Sequence, residues 1–188
     1  MDLHVTPGSF LVSVPQMLDP NFMHTVLLMC EHTSQGALGL VVNRAPALIV
    51  RDLLPEHPKF AELDFPVHHG GPVGLDSLQF VHTTDERIPG GIELAPDLYL
   101  GGDLDSLGTF LGQEQQPQHS VRLFLGYAGW AAGQLEGELQ TGSWVPAPLD
   151  PKLLFSDEPA EDVWRQSLRS LGLEGEGLSQ LPPDVSWN

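Results

Sequence analysis

The sequence is poor in positive charge. Eight Lys and Arg stand against 25 Asp and Glu, a formal net charge of −17, and those eight (Arg44, Arg51, Lys59, Arg87, Arg122, Lys152, Arg165, Arg169) are scattered along the chain. Neutralising phosphates requires clustered bases, so direct contact with nucleic acid is disfavoured, and an anionic membrane surface is disfavoured for the same reason. Cysteine is almost absent. Cys30 alone excludes an internal disulfide and a cysteine-rich zinc module, and it suits a reducing compartment. The first Lys or Arg is Arg44, so no basic stretch precedes an apolar one near the N-terminus, and no apolar run approaches the length of a membrane span. The cytoplasm is the expected location. The chain also lacks a Gly-Lys-Ser/Thr phosphate loop, a dinucleotide fingerprint, a Gly-x-Ser-x-Gly elbow, Cys-x-x-Cys, His-Glu-x-x-His and an Asp-rich calcium loop. No cofactor and no metal are expected.

What is present is organised around residues 121–144, VRLFLGYAGWAAGQLEGELQTGSW. The pattern predicts a strand over 121–125, with Val121, Leu123 and Leu125 on one face and Arg122 and Phe124 on the other, both faces covered. A tight loop, Gly126 to Gly129, is expected to follow, then Trp130 and a helix from Ala131 or Ala132. Two readings of the glycines stand side by side. They can leave helix amides open to an anion, or simply let Tyr127 and Trp130 fold back into the core.

The run Val26 to His32 and the run Ala37 to Asn43 predict a hairpin with a four-residue loop, Thr33 to Gly36. Alternation puts Val26, Leu28, Cys30 and His32 on one face and Leu27, Met29 and Glu31 on the other. Further strands are expected near Gly8–Val14, at Val67, over Leu78–Thr83, within Ile92–Leu100, and over Ser143–Val145 and Lys152–Phe155. The turn after Val67 runs through His68, His69, Gly70, Gly71 and Pro72. Asp103 fits the N-cap of a helix carrying Leu104, Leu107, Phe110 and Leu111. A last helix, capped by Ser156 or Asp157, carries Val163, Trp164, Leu168 and Leu171 before Gly172. The whole chain, 1–188, reads as one domain with a loose tail over 173–188.

Two chemistries merit weighing. Cationic His32 beside Cys30 would lower the thiol pKa, while the rival reading makes Cys30 a small buried hydrophobe. His69 and His82 could join Cys30 and His32 around a metal only if neighbouring strands bring them together. Glu136 and Glu138, two apart on a helix, diverge and suit structural roles better than a carboxylate dyad. Trp130, Trp144 and Trp164 suit core or groove wall, because no Lys or Arg interleaves with them.

Four blocks in this order resemble the YqgE/AlgH family of bacterial proteins: Cys30, Glu31, His32 with Gly36, Ala37, Gly39, Leu40 and Asn43; Gly70, Gly71, Pro72 and Val73; Gly126 to Trp130 with Gly133 to Glu136; and Trp144, Phe155 and Trp164. The resemblance implies an α+β domain whose mixed, bifurcated β-sheet curls into a pseudo-barrel with helices packed outside. It implies no established enzyme activity, and it carries a transcriptional-regulator label that rests on a genetic association. The expected function is non-catalytic binding of an unknown small molecule or protein partner. The site would lie near Cys30, His32, Asn43, Gly70, Gly71, Gly126, Tyr127, Gly129, Trp130 and Gln134. The alternatives are a thiol-dependent enzyme or redox sensor using Cys30 with His32, and indirect regulation of transcription through a partner.

Overall fold

The computed structural model describes residues 4–171; the tail expected over 173–188 lies outside them. The first half of the chain forms β1 (Phe10–Ser13), β2 (Val26–Thr33), β3 (Gly36–Val41), β4 (Pro46–Ile49), α1 (Val50–Leu53), β5 (Pro66–His69) and β6 (Val73–His82). The second half forms β7 (Ile92–Ala95), β8 (Leu98–Leu100), α2 (Leu104–Gln113), β9 (Val121–Ala131), α3 (Gln134–Gln140), β10 (Trp144–Ala147), α4 (Pro151–Leu154) and α5 (Ala160–Arg169). The strands run in the order β10-β1-β2-β3-β9-β6-β8-β7, with β5 and β4 branching from β9. β5 and β9 are parallel. The sheet is therefore mixed and forked, as expected. Among the described residues no pairing joins β10 to β7, so the sheet is not closed and the expected pseudo-barrel is not borne out.

The fork is β9. Its first half pairs with β5 through Leu123–Leu125 and with β6 through Val121–Leu125, while its second half pairs with β3 through Ala128–Ala131. The expected loop at Gly126–Gly129 is thus strand, and the helix begins only at Gln134. Gly126 serves close approach instead of a turn. A Cβ on Gly71 would lie 2.1 Å from the carbonyl carbon of Tyr127, and one on Gly126, at φ +76°, would lie 2.6 Å from the Gly71 oxygen. Gly70 donates its amide to Leu125 O at 2.8 Å and accepts from Val41 N at 2.8 Å, so this crossing ties β3, β5 and β9 at one point.

Among the described residues three clusters fill the core. Leu123, Val121 and Val67 pack with Val50, Phe60 and α2 on one face. Phe124 joins Val26, Leu28, Leu40 and the α5 residues Val163, Trp164 and Leu168 on the other. Met29, Trp130, Leu135 and Trp144 form the third with Val5 and Leu11. Both faces of Val121–Leu125 are covered, as alternation predicted.

The hairpin turn is shorter than expected, because Thr33 pairs with Gly36 and leaves only Ser34 and Gln35 between the strands. A bulge at Cys30 has larger consequences. Leu28 sits opposite Leu40 but His32 sits opposite Ala37, and positions 40 and 37 of β3 face opposite ways. Cys30 therefore keeps company with Val26 and Leu28, whereas His32 turns to the other side, where Val5 packs. Their expected side-by-side projection does not occur.

Other differences are local. Lys152–Phe155 is not a strand: Pro151 and the Asp150 side chain, which accepts from Lys152 N, start the short helix α4. α5 is preceded by Pro159 without a side-chain cap, so neither Ser156 nor Asp157 caps it. Asp103 caps α2 as predicted, accepting from Ser106 N at 2.8 Å.

Gly71→Ala is expected to destabilise the fold by about 3 kcal/mol or more in urea unfolding, since backbone lies in the way. Gly137→Ala, in α3 with open space around it, should stabilise by about 0.5–1 kcal/mol.

Candidate functional site

A cleft of about 410 Å³ lies between the β4–β5–β9 face and the segment entering α5. Its floor follows from register. Pro46 pairs with His68 and His68 with Phe124, so these three share a face, and Arg122, two residues before Phe124, shares it too. Arg122 is 4% exposed. A guanidinium cannot be buried cheaply without acceptors, and it has them. It donates to Val42 O (3.4 Å), to Ser156 O (2.8 Å) and to the Asp157 carboxylate (3.3 Å). Burial lowers its pKa, and Asp157 opposes that shift.

His68 is buried and donates Nδ1–H to Arg44 O at 2.8 Å, the only sense open to a carbonyl partner. That tautomer leaves Nε2 as an acceptor. Burial first, then the charge of Arg122, lowers the His68 pKa, so the ring is held neutral. Arg44 also donates to Asn21 O (2.8 Å) and Thr25 Oγ1 (3.0 Å), and it borders a second hollow of about 240 Å³ with His69, Gly71 and Pro72.

The outer wall is held by polar ties to the sheet. Asn43 accepts from Val26 N at 3.0 Å and donates to His24 O and Ala160 O, each at 2.9 Å. His24 bonds through Nδ1 to Glu161 and stacks on Trp164, with centroids 3.8 Å apart and planes 9° apart. Asn43 thus lines the cleft, but its amide is engaged in positioning α5.

The structure scatters the other predicted site residues. The Cys30 thiol, 8% exposed, is pushed up from 9.0 to about 12 by burial and then by the Glu31 carboxylate. The bulge keeps Glu31 near Cys30, against the alternation expected. His32 has both ring nitrogens engaged: Nδ1 accepts from Val5 N at 3.0 Å, so Nε2–H donates to Glu136 at 2.8 Å. Local backbone hydrogen bonding, and then the hydrogen bond from His32, hold the Glu136 carboxyl below its usual range. Gly70, Gly71, Gly126 and Tyr127 belong to the backbone crossing, and Gly129 lies beyond it in β9, paired with Leu38.

Trp130 and Trp144 both donate their indole N–H to Glu138 Oε2, at 2.9 and 2.7 Å. Gln134 donates to the other Glu138 oxygen at 3.0 Å and accepts from Ala131 N at 3.0 Å, so the Ala131 amide at this corner is already satisfied. Among the described residues no three His, Cys, Asp or Glu gather as metal ligands, and His82 bonds to Gly101 O at 2.8 Å. Sequence reasoning passed over Arg122 as a site residue. The available signal was a lone charge inside VRLFL, a strand expected to be covered on both faces.

These features define an open, forked α+β sheet protein with an arginine-floored cleft. The AlgH-like family model (DUF179) matches residues 10–176, and the chain belongs to this family. It is similar to a UPF0301 protein of Chlorobaculum tepidum, 42% identical over 168 residues covering 89% of this chain and 88% of that one. A Bacteroides thetaiotaomicron UPF0301 protein is 34% identical over 181 residues, covering 96% and 90%. Among solved structures, the AlgH protein of Pseudomonas aeruginosa superposes with a TM-score of 0.70 at 31% identity over 98% of each chain. A Corynebacterium diphtheriae protein gives 0.74 at 26% identity over 95% of this chain and 93% of that one.

Two outcomes follow. Cys30 should resist alkylation until the chain unfolds, having about a thousandfold less thiolate than the unfolded thiol at neutral pH; rapid labelling of the folded protein would contradict this. His68 has a folded pKa below its ordinary 6.5, so the unfolded chain takes up the proton first. Its contribution to stability is present above that value and is lost as pH falls toward the folded pKa. His68→Gln should therefore flatten part of the acid-side loss in urea midpoint between about pH 7.5 and 5.

Proposed function

We propose that this chain is a non-catalytic binding protein of the cytoplasm that takes a small ligand in the cleft floored by Arg122 and His68. The observation that carries the reading is a buried guanidinium at the base of a hollow of about 410 Å³, a volume within the range of small-molecule sites. Arg122, His68 and Asn43 are fixed in orientation by hydrogen bonds and stand beside apolar walls of Ala45, Pro46, Pro159 and Val163, a combination by which such sites join affinity with specificity. The thiol-dependent alternative is less well supported, because Cys30 is buried with a raised pKa and His32 lies across the bulge with both nitrogens occupied. If the protein influences transcription, a net charge of −17 favours action through a protein partner over contact with DNA.

Backbone and Arg122 Nε–H resonances, followed during a screen of small organic fragments, test this reading. Hits should move Arg44, Ala45, Ala160 and the Arg122 side chain together, and they should raise the melting temperature. Fragments that bind only elsewhere, or a cleft that no fragment moves, would overturn it.

A further inference from the structure

We infer that the ligand of this cleft carries a single carboxylate on an apolar body, and that Asp157 occupies the carboxylate position when the ligand is absent. The inference rests on the cleft-binding reading above and adds the chemical class.

The guanidinium sets the charge. Arg122 has five N–H donors, of which the contacts described engage three, two of them with backbone carbonyls. Its charge partner is Asp157, whose side chain is 75% exposed and sits at 3.3 Å. Charge-assisted N–H···O bonds are usually about 2.7–2.9 Å, so this pair is long and one member is in water. An exposed, loosely held carboxylate on a buried arginine is readily displaced, because its own hydration replaces what it loses. A ligand carboxylate meets the same guanidinium with a planar fork that fits bidentately.

Charge matching selects a monoanion. His68 is held neutral, while Arg44, which also lines the cleft, keeps its charge and turns its guanidinium to the neutral acceptors Asn21 O and Thr25 Oγ1. Asp157 and Glu158 stand at the rim, in a strongly acidic chain. The lining thus sets two guanidiniums, Arg44 and Arg122, against these two carboxylates, and a dianionic phosphate would bring more negative charge into that balance than a monoanion. The remaining walls, Ala45, Pro46, Pro159 and Val163, are apolar and suit a hydrocarbon body.

The test titrates hexanoate, hexan-1-ol and inorganic phosphate into wild type and into Asp157→Asn, reading the Arg122 Nε–H and Ala160 amide signals. Hexanoate should move both signals, and Asp157→Asn should tighten it by about threefold to tenfold through loss of a competing negative charge while leaving hexan-1-ol unchanged. If hexan-1-ol binds as well as hexanoate in both proteins, or Asp157→Asn has no effect on hexanoate, the carboxylate inference fails and cleft binding stands. Tighter binding of phosphate than of hexanoate also overturns the class. If none of the three moves the cleft, the inference fails, and the fragment screen decides separately whether the underlying reading fails with it.

Discussion

The structure depends on one backbone crossing. Where Gly70 and Gly71 pass Gly126 and Tyr127, three strands come within a distance that admits no side chain. Above that point β9 belongs with β5 and β6, and below it with β3. A strand serving two neighbourhoods must change direction without losing its hydrogen bonds, and a glycine at φ +76° permits this. Everything that shapes the cleft follows, since the same strand places Arg122 and Phe124 beside His68 before it bends away.

The cleft illustrates how an acidic protein can hold a buried positive charge. Scattered bases give no surface field of that sign, but one guanidinium lifted out of water interacts far more strongly than several on the surface. The cost is met by carbonyl acceptors from β3's exit and from the segment before α5. That segment is fixed to the sheet mainly by polar contacts, through Asn43, His24 and Arg122, with Trp164 as its apolar anchor.

Much of the fold was legible in the sequence. The β2–β3 hairpin, the Asp103 cap, both faces of Val121–Leu125 and the core face of α5 all followed from periodicity and capping chemistry. The misreadings share a cause. Glycines at 126 and 129 read locally as chain punctuation, whereas both lie in a strand, and at Gly126 it is tertiary close approach that calls for glycine. A single inserted residue at Cys30 reversed the facing of His32, and no local pattern announces a bulge. The candidate site was less legible still: Asn43 was named, but Arg122 and His68 meet only through a parallel pairing across more than fifty residues, which spacing along the chain does not disclose.

The position of the fork strand late in the chain has a consequence for biosynthesis. Eight strands are made before β9, and β3, β5 and β6, each with further strands hung on it, have no shared strand partner until it arrives. The nascent chain must therefore hold apolar segments such as VLLMC in a partly assembled state while roughly two-thirds of the protein is translated, a non-local order of assembly that slows folding and exposes strand edges. The high acidity gives such a waiting chain a mutual repulsion that discourages association.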